Sequence, residues 1–114
     1  MRVAIPTKNG RIDREYSEAE EFTVYEVEIE LVKKKEIIPL GETTLADFLT
    51  EQDINAVICG KIRSSARNML RMKRIELTYG VFGEVDDVMI RYLSGERLGD
   101  IDENAYWKAG RAGE

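Results

Sequence analysis

Two periodicities alternate along this chain, and their boundaries mark out its elements. Arg2 to Thr7 is a short apolar run that predicts a first strand, with Pro6 placing the strand's end at an edge or turn. Lys8-Asn9-Gly10-Arg11 has turn composition. Ser17-Glu18-Ala19-Glu20 has capping-box spacing and predicts a single helical turn. From Phe22 to Leu31 apolar and polar residues alternate, as in a half-exposed strand. Lys33-Lys34-Lys35-Glu36 is expected as a charged hairpin turn, with Glu36 to Leu40 returning as the antiparallel partner. After Gly41 the period lengthens. Thr44 and Asp47 fit a cap, and Leu45, Phe48 and Leu49 fit one face of a short helix. Ala56 to Cys59 predicts a strand buried on both faces, followed by a helix from about Ser65 with Ala66, Met69 and Leu70 inward. Ile75 to Tyr79 is a further strand. Gly80-Val81-Phe82-Gly83 is a glycine-bracketed loop, either a core plug or an apolar lip, and Val85 to Leu93 is a last helix.

The order is strand, hairpin, then alternating helices and strands, which predicts an α/β domain with a mixed sheet of about five strands and helices on its faces. Residues 1–94 are expected to form the domain. Residues 95–114 form a charged, glycine-rich tail, loosely held beyond Ile101, in which Tyr106 and Trp107 either dock on the domain or anchor an interface.

A net charge of −5 argues against duplex DNA or an anionic membrane as partner, since both require a basic surface. No apolar run approaches the roughly 20 residues that span a bilayer. With one cysteine and Met1 leading directly into a strand, a reducing, cytoplasmic setting is expected. The absence of histidine removes the usual base of a nucleophilic triad and the commonest metal ligand.

The chemistry concentrates at Cys59-Gly60-Lys61-Ile62-Arg63-Ser64-Ser65, where a buried strand hands over to a helix N-terminus. Cys59 is the candidate soft-metal ligand as a thiolate, or else a small core residue. Lys61 and Arg63 are candidate anion contacts. Ser64 or Ser65 is expected to cap the helix.

Four segments, in order, resemble the dinitrogenase iron–molybdenum cofactor biosynthesis family, the nitrogenase accessory factor-like proteins. They are Val3-Ala4-Ile5-Pro6-Thr7, Ala19 to Val27, Val57-Ile58-Cys59-Gly60, and Tyr79 to Val85. The resemblance implies a three-layer ribonuclease H-like motif, with a five-stranded sheet in order 3-2-1-4-5 and strand 2 antiparallel. It also implies a non-enzymatic accessory role, carrying a molybdenum–iron–sulfur cluster or its precursor, with a protein partner in cofactor assembly. Tyr16 stands where family members commonly carry a histidine, and Lys61 and Arg63 stand in a stretch commonly rich in glycine. These departures shift the site toward a small anion.

With that strand order, a ligand belongs in the crevice between strands 1 and 4, where Thr7, Lys8 and Asn9 would face Cys59 to Ser65. A ribonuclease H-like nuclease would need carboxylates for two Mg²⁺ ions, one of them on the first strand, yet Arg2 to Thr7 contains none. The alternative function is a protein-interaction module that has kept the fold and lost cluster binding.

Overall fold

The computed structural model describes residues 1–101. Its strands are β1 (Arg2–Lys8), β2 (Arg11–Ile12), β3 (Glu21–Glu28), β4 (Leu31–Pro39), β5 (Ala56–Ile58), β6 (Glu76–Tyr79) and β7 (Asp100–Ile101). Its helices are α1 (Leu45–Glu51), α2 (Ser64–Met72) and α3 (Val85–Leu93), with a 3-10 turn at Tyr16–Glu18.

The sheet order is β4-β3-β1-β5-β6-β7, with β2 folded back on β1. β3 is antiparallel to β1, whereas β5 and β6 run parallel to it. The first five strands in that order reproduce the expected 3-2-1-4-5 arrangement. The additions are β2 and β7, two residues each and too short to leave a periodic signal.

Alternation along the central strands divides the core into two layers. Ala4, Phe22, Val24, Val57 and Cys59 face one side, where Phe48, Leu49 and Leu70 bring α1 and α2 down. Val3, Ile5, Tyr25, Ala56 and Ile58 face the other, beneath Val85, Val88 and Met89 of α3. β1 and β5 are therefore buried on both faces, which is why their sequences are unbroken apolar runs. Leu98 joins the α3 side, so the segment after Gly95, expected as tail, contributes both core and a strand. Tyr106 and Trp107 lie outside the described residues.

Five local expectations are corrected. The hairpin turns at Ile29 and Glu30, both with positive φ (51° and 62°), and Lys33 to Glu36 are strand residues. A two-residue turn of this hand matches the twist of the flanking strands. The lysines then find partners: Lys34 pairs with Glu36, Lys35 with Asp86 of α3, and a bulge at Glu26/Val27 absorbs Lys33. β1 runs through Pro6 to Lys8. Ser17 lies inside the 3-10 turn, whose cap residue Glu15 makes no side-chain cap bond. At α2 the cap residue is Arg63, again without a side-chain bond, so Ser64 and Ser65 sit in the exposed first turn. Met69 is 47% exposed, leaving Ala66 and Leu70 as the inward face. The Thr44 cap forms as expected, its hydroxyl accepting from the Asp47 amide at 3.1 Å.

Candidate functional site

The loop after β5 is held from two directions. On one side the Lys61 amide donates to the Arg14 carbonyl, and the Tyr16 amide donates to the Lys61 carbonyl, both at 2.9 Å. On the other, the Gly80 amide donates to the Gly60 carbonyl at 2.8 Å and the Val81 amide to the Cys59 carbonyl at 3.0 Å. Gly60 is the point of closest approach. A Cβ placed there would lie 2.8 Å from the Arg14 carbonyl oxygen and 2.8 Å from a ring carbon of Phe82. A side chain at this position would collide with the neighbouring backbone.

This clamp explains why the expected crevice is differently lined. β1 does not stop at the switch point but turns through Asn9 and Gly10 into β2. The chain that follows, Asp13 to Glu18, then lies alongside Gly60 and Lys61. Thr7 is buried, its hydroxyl 2.8 Å from that of Thr23. Lys8 and Asn9 occupy the β1–β2 turn, which the Gly10 carbonyl ties to α3 by accepting from the Val85 amide.

What remains is a cavity of ≈610 Å³ between the 3-10 turn, the β5–α2 loop and the β6–α3 loop. Gly60, Lys61 and Arg63 line it, as do Glu15, Ser17, Glu18, Ile62, Tyr79, Gly80 and Phe82. Thr7, Lys8 and Asn9 lie outside it. Cationic, acidic and aromatic side chains thus share the lining. Phe82 is 51% exposed and forms an apolar lip, while Val81 plugs the core. Tyr79 is covered by the Arg67 guanidinium, 5.0 Å from its ring centre, which adds a third cation behind the wall.

Residues 1–95 match the dinitrogenase iron–molybdenum cofactor family. The chain belongs to this family. It is 26% identical over 105 residues to the uncharacterized protein MJ0580 of Methanocaldococcus jannaschii, covering 84% of this chain and 88% of that one. The crystal structure of PH0822 superposes with a TM-score of 0.81 at 24% identity, over 93% of this chain and 98% of that chain. The apo form of the orange protein from Desulfovibrio gigas gives a TM-score of 0.73 at 18% identity, over 88% and 93%. Similarity at that level establishes the shared fold.

The family's cofactor sets a test of the donor atoms. Cys59 is fully buried, and burial pushes its thiol up to about 12, so it is a neutral thiol at physiological pH. Among the described residues no group of three or more histidine, cysteine, aspartate or glutamate side chains is placed to hold a metal ion. Tyr16 is buried edge-on against Phe22 at 6.4 Å. Desolvation first, and Cys59 second, pushes its hydroxyl well above the usual phenol range. Tyr16 and Ser65 border a separate groove of ≈310 Å³ between α1 and α2, and Ser64 sits in the first turn of α2. The donor set therefore does not suit direct coordination of a cluster.

Glu15, Glu18 and Tyr79 escaped the sequence reading as site residues. Glu15 and Glu18 flank a segment legible only as a local turn, and Tyr79 closes a strand with nothing to distinguish it from core. No helix among the described residues is long and apolar enough to cross a membrane.

Proposed function

We propose that this protein is a non-enzymatic, cytoplasmic accessory protein of metal-cofactor assembly that carries an anionic molybdenum-containing precursor, or the cluster itself, in the ≈610 Å³ cavity. The observation that carries the reading is that Lys61 and Arg63 line a cavity beyond the C-terminal ends of β5 and β6, in a chain of this family. Oxo- and sulfido-metallates carry negative charge on their outer atoms, so lysine and arginine can hold them through charge-assisted hydrogen bonds with no protein–metal bond. The cavity has the size of a site for a whole small ligand rather than a single ion.

Tetrathiomolybdate tests this anaerobically, read by its visible spectrum and by the melting temperature of the protein. Saturable binding is expected, lost in Lys61→Ala/Arg63→Ala and retained in Cys59→Ala. Loss in Cys59→Ala, with the fold intact by circular dichroism, would instead assign the thiol as a ligand. Binding by neither wild type nor variant would favour an interaction module that has kept the fold and lost the guest.

A further inference from the structure

Helix α2 shows solvent a second face, distinct from the one it buries. Ser65, Asn68, Met69 and Met72 are exposed and fall at i, i+3, i+4 and i+7, the spacing of one helix face, while Ala66 and Leu70 turn inward. Met72 is 85% exposed. Beside Met69 runs the ≈310 Å³ groove between α1 and α2, walled also by Leu45 and Ala66. The strip itself is uncharged, but cations frame it. Arg63 precedes the helix, Lys73 and Arg74 follow it, and Arg67 lies along one side over the Tyr79 ring.

The frame is of one sign. From Lys61 to Arg74 the sequence holds six cations and no carboxylate, in a chain whose net charge is −5. The ion pairs among the described residues include Arg2–Glu26, Lys34–Glu36, Lys35–Asp86 and Arg91–Glu96, and Arg63, Arg67, Lys73 and Arg74 take part in none of these. On the neighbouring helix Lys73 meets the Thr50 hydroxyl, at 2.6 Å, and not a carboxylate. An apolar centre with a polar rim is the anatomy of a protein–protein contact. Thioethers are soft and adaptable, so two exposed methionines beside an apolar slot suit bulky aliphatic or aromatic side chains. The cations select what surrounds those side chains, because fixed positive charge favours aspartate and glutamate and steers an acidic chain toward the face. A nucleic acid would satisfy the cations but leave the methionines and the slot uncovered, and its phosphates would meet a net-acidic chain.

We infer that this face of α2, with the groove beside it, docks an acidic segment of a partner protein. The partner's carboxylates meet Arg63, Lys73 and Arg74, and a large apolar side chain enters between Leu45, Ala66 and Met69. Arg63 also lines the ≈610 Å³ cavity, so the docked segment lies beside that cavity. The assignment does not depend on the identity, or existence, of a guest there.

A phage-displayed library of random peptides, selected on the full-length wild-type protein, supplies the probe. Selected sequences are synthesised with a fluorescein label and titrated by anisotropy. Enrichment is expected for sequences that combine aspartate or glutamate with a large apolar residue. Their affinity should fall roughly tenfold or more in Met69→Glu/Met72→Glu and, separately, in Lys73→Glu/Arg74→Glu. Lys33→Glu/Lys34→Glu, an equal change of net charge placed on β4, should leave it unaltered. The substituted side chains are exposed, so far-ultraviolet circular dichroism should not change. If one α2 pair fails to fold, the other decides. No enrichment over bare support, enrichment of basic or charge-free sequences, or affinity unchanged in both α2 pairs would overturn the proposal. So would any other occupant. A labelled single-stranded oligonucleotide that binds more tightly than the best peptide, and is lost in the same variants, would assign the face to nucleic acid. A mass that rises with concentration in light scattering, and no longer does in Met72→Glu, would assign it to a second copy. Peptide binding seen only in Asp102→Lys/Glu103→Lys would assign it to the chain's own acidic residues.

Discussion

Gly60 and Cys59 are adjacent and do opposite things. Gly60 lets the chain at Asp13 and Arg14 pass against the β5–α2 loop, and Gly60→Ala places a methyl 2.8 Å from the Arg14 carbonyl oxygen. Because the Asp13–Arg14 backbone and the Phe82 ring must move, we expect Gly60→Ala to lose about 1–3 kcal/mol in denaturant unfolding. The ligand-binding loss should exceed what the destabilisation explains, because the same shift displaces Lys61. Cys59, fully enclosed beside Tyr16 and Phe22, should resist alkylation by iodoacetamide in the native protein and react only on unfolding. Its titration has a definite sign. The folded thiol sits at about 12 and the unfolded one near 9.0, so between these values the folded state holds the extra proton. The contribution is complete below pH 9 and is lost as the pH rises toward 12. Replacing Cys59 by Ala should flatten that part of the stability profile. Cys59 closing an apolar strand was legible as core in the sequence. Its protonation state was not, because desolvation depends on what packs above it.

At the scale of elements, the β3–β4 hairpin turns on the least suitable residues in the molecule. Ile29 and Glu30 both occupy the left-handed region, which costs a side-chain-bearing residue roughly 1–2 kcal/mol relative to glycine. Ile29→Asn/Glu30→Gly should therefore raise stability by about 1 kcal/mol or more, read as a shift in denaturant midpoint at constant slope. No change, or a loss, would mean the tight turn is not the one the chain uses. The three lysines drew the sequence reading to the wrong turn because charge density looks the same in a loop and on an edge strand. Only the pairing distinguishes them: Lys35 reaches Asp86 at 2.8 Å, and Asp86 also accepts from the Tyr25 hydroxyl at 2.7 Å. Those bonds hold the Asp86 carboxyl below its ordinary value, with Lys35 the larger cause. Ser64 and Ser65 misled in a similar way, since a hydroxyl near a helix start caps only if the backbone places it one residue earlier.

Across the whole molecule, charge is segregated. A net-acidic chain concentrates cations from Lys61 to Arg74, and the first two of them line the ≈610 Å³ cavity. Anion capture by such exposed side chains is screened by salt, because the Debye length falls from about 10 Å at 0.1 M to about 3 Å at 1 M ionic strength. Tetrathiomolybdate affinity should accordingly fall steadily with added sodium chloride, measured by equilibrium titration. Salt-independent binding would point to a bond with Cys59 instead. The sequence by itself determined the order of strands and helices in the chain, because periodicity and turn composition are local and survive without knowledge of contacts, whereas the order of strands in the sheet came from the resemblance to the family. It also marked Lys61 and Arg63, since a strand-to-helix junction is itself a local signal. Only the tertiary structure decided what faces them. β2 folds back after Lys8, carrying Glu15 and Glu18 into a place the topology alone assigned to Thr7, Lys8 and Asn9. A two-residue strand carries no period, and its partner is chosen by packing against Gly60 and Gly83, which no local pattern encodes.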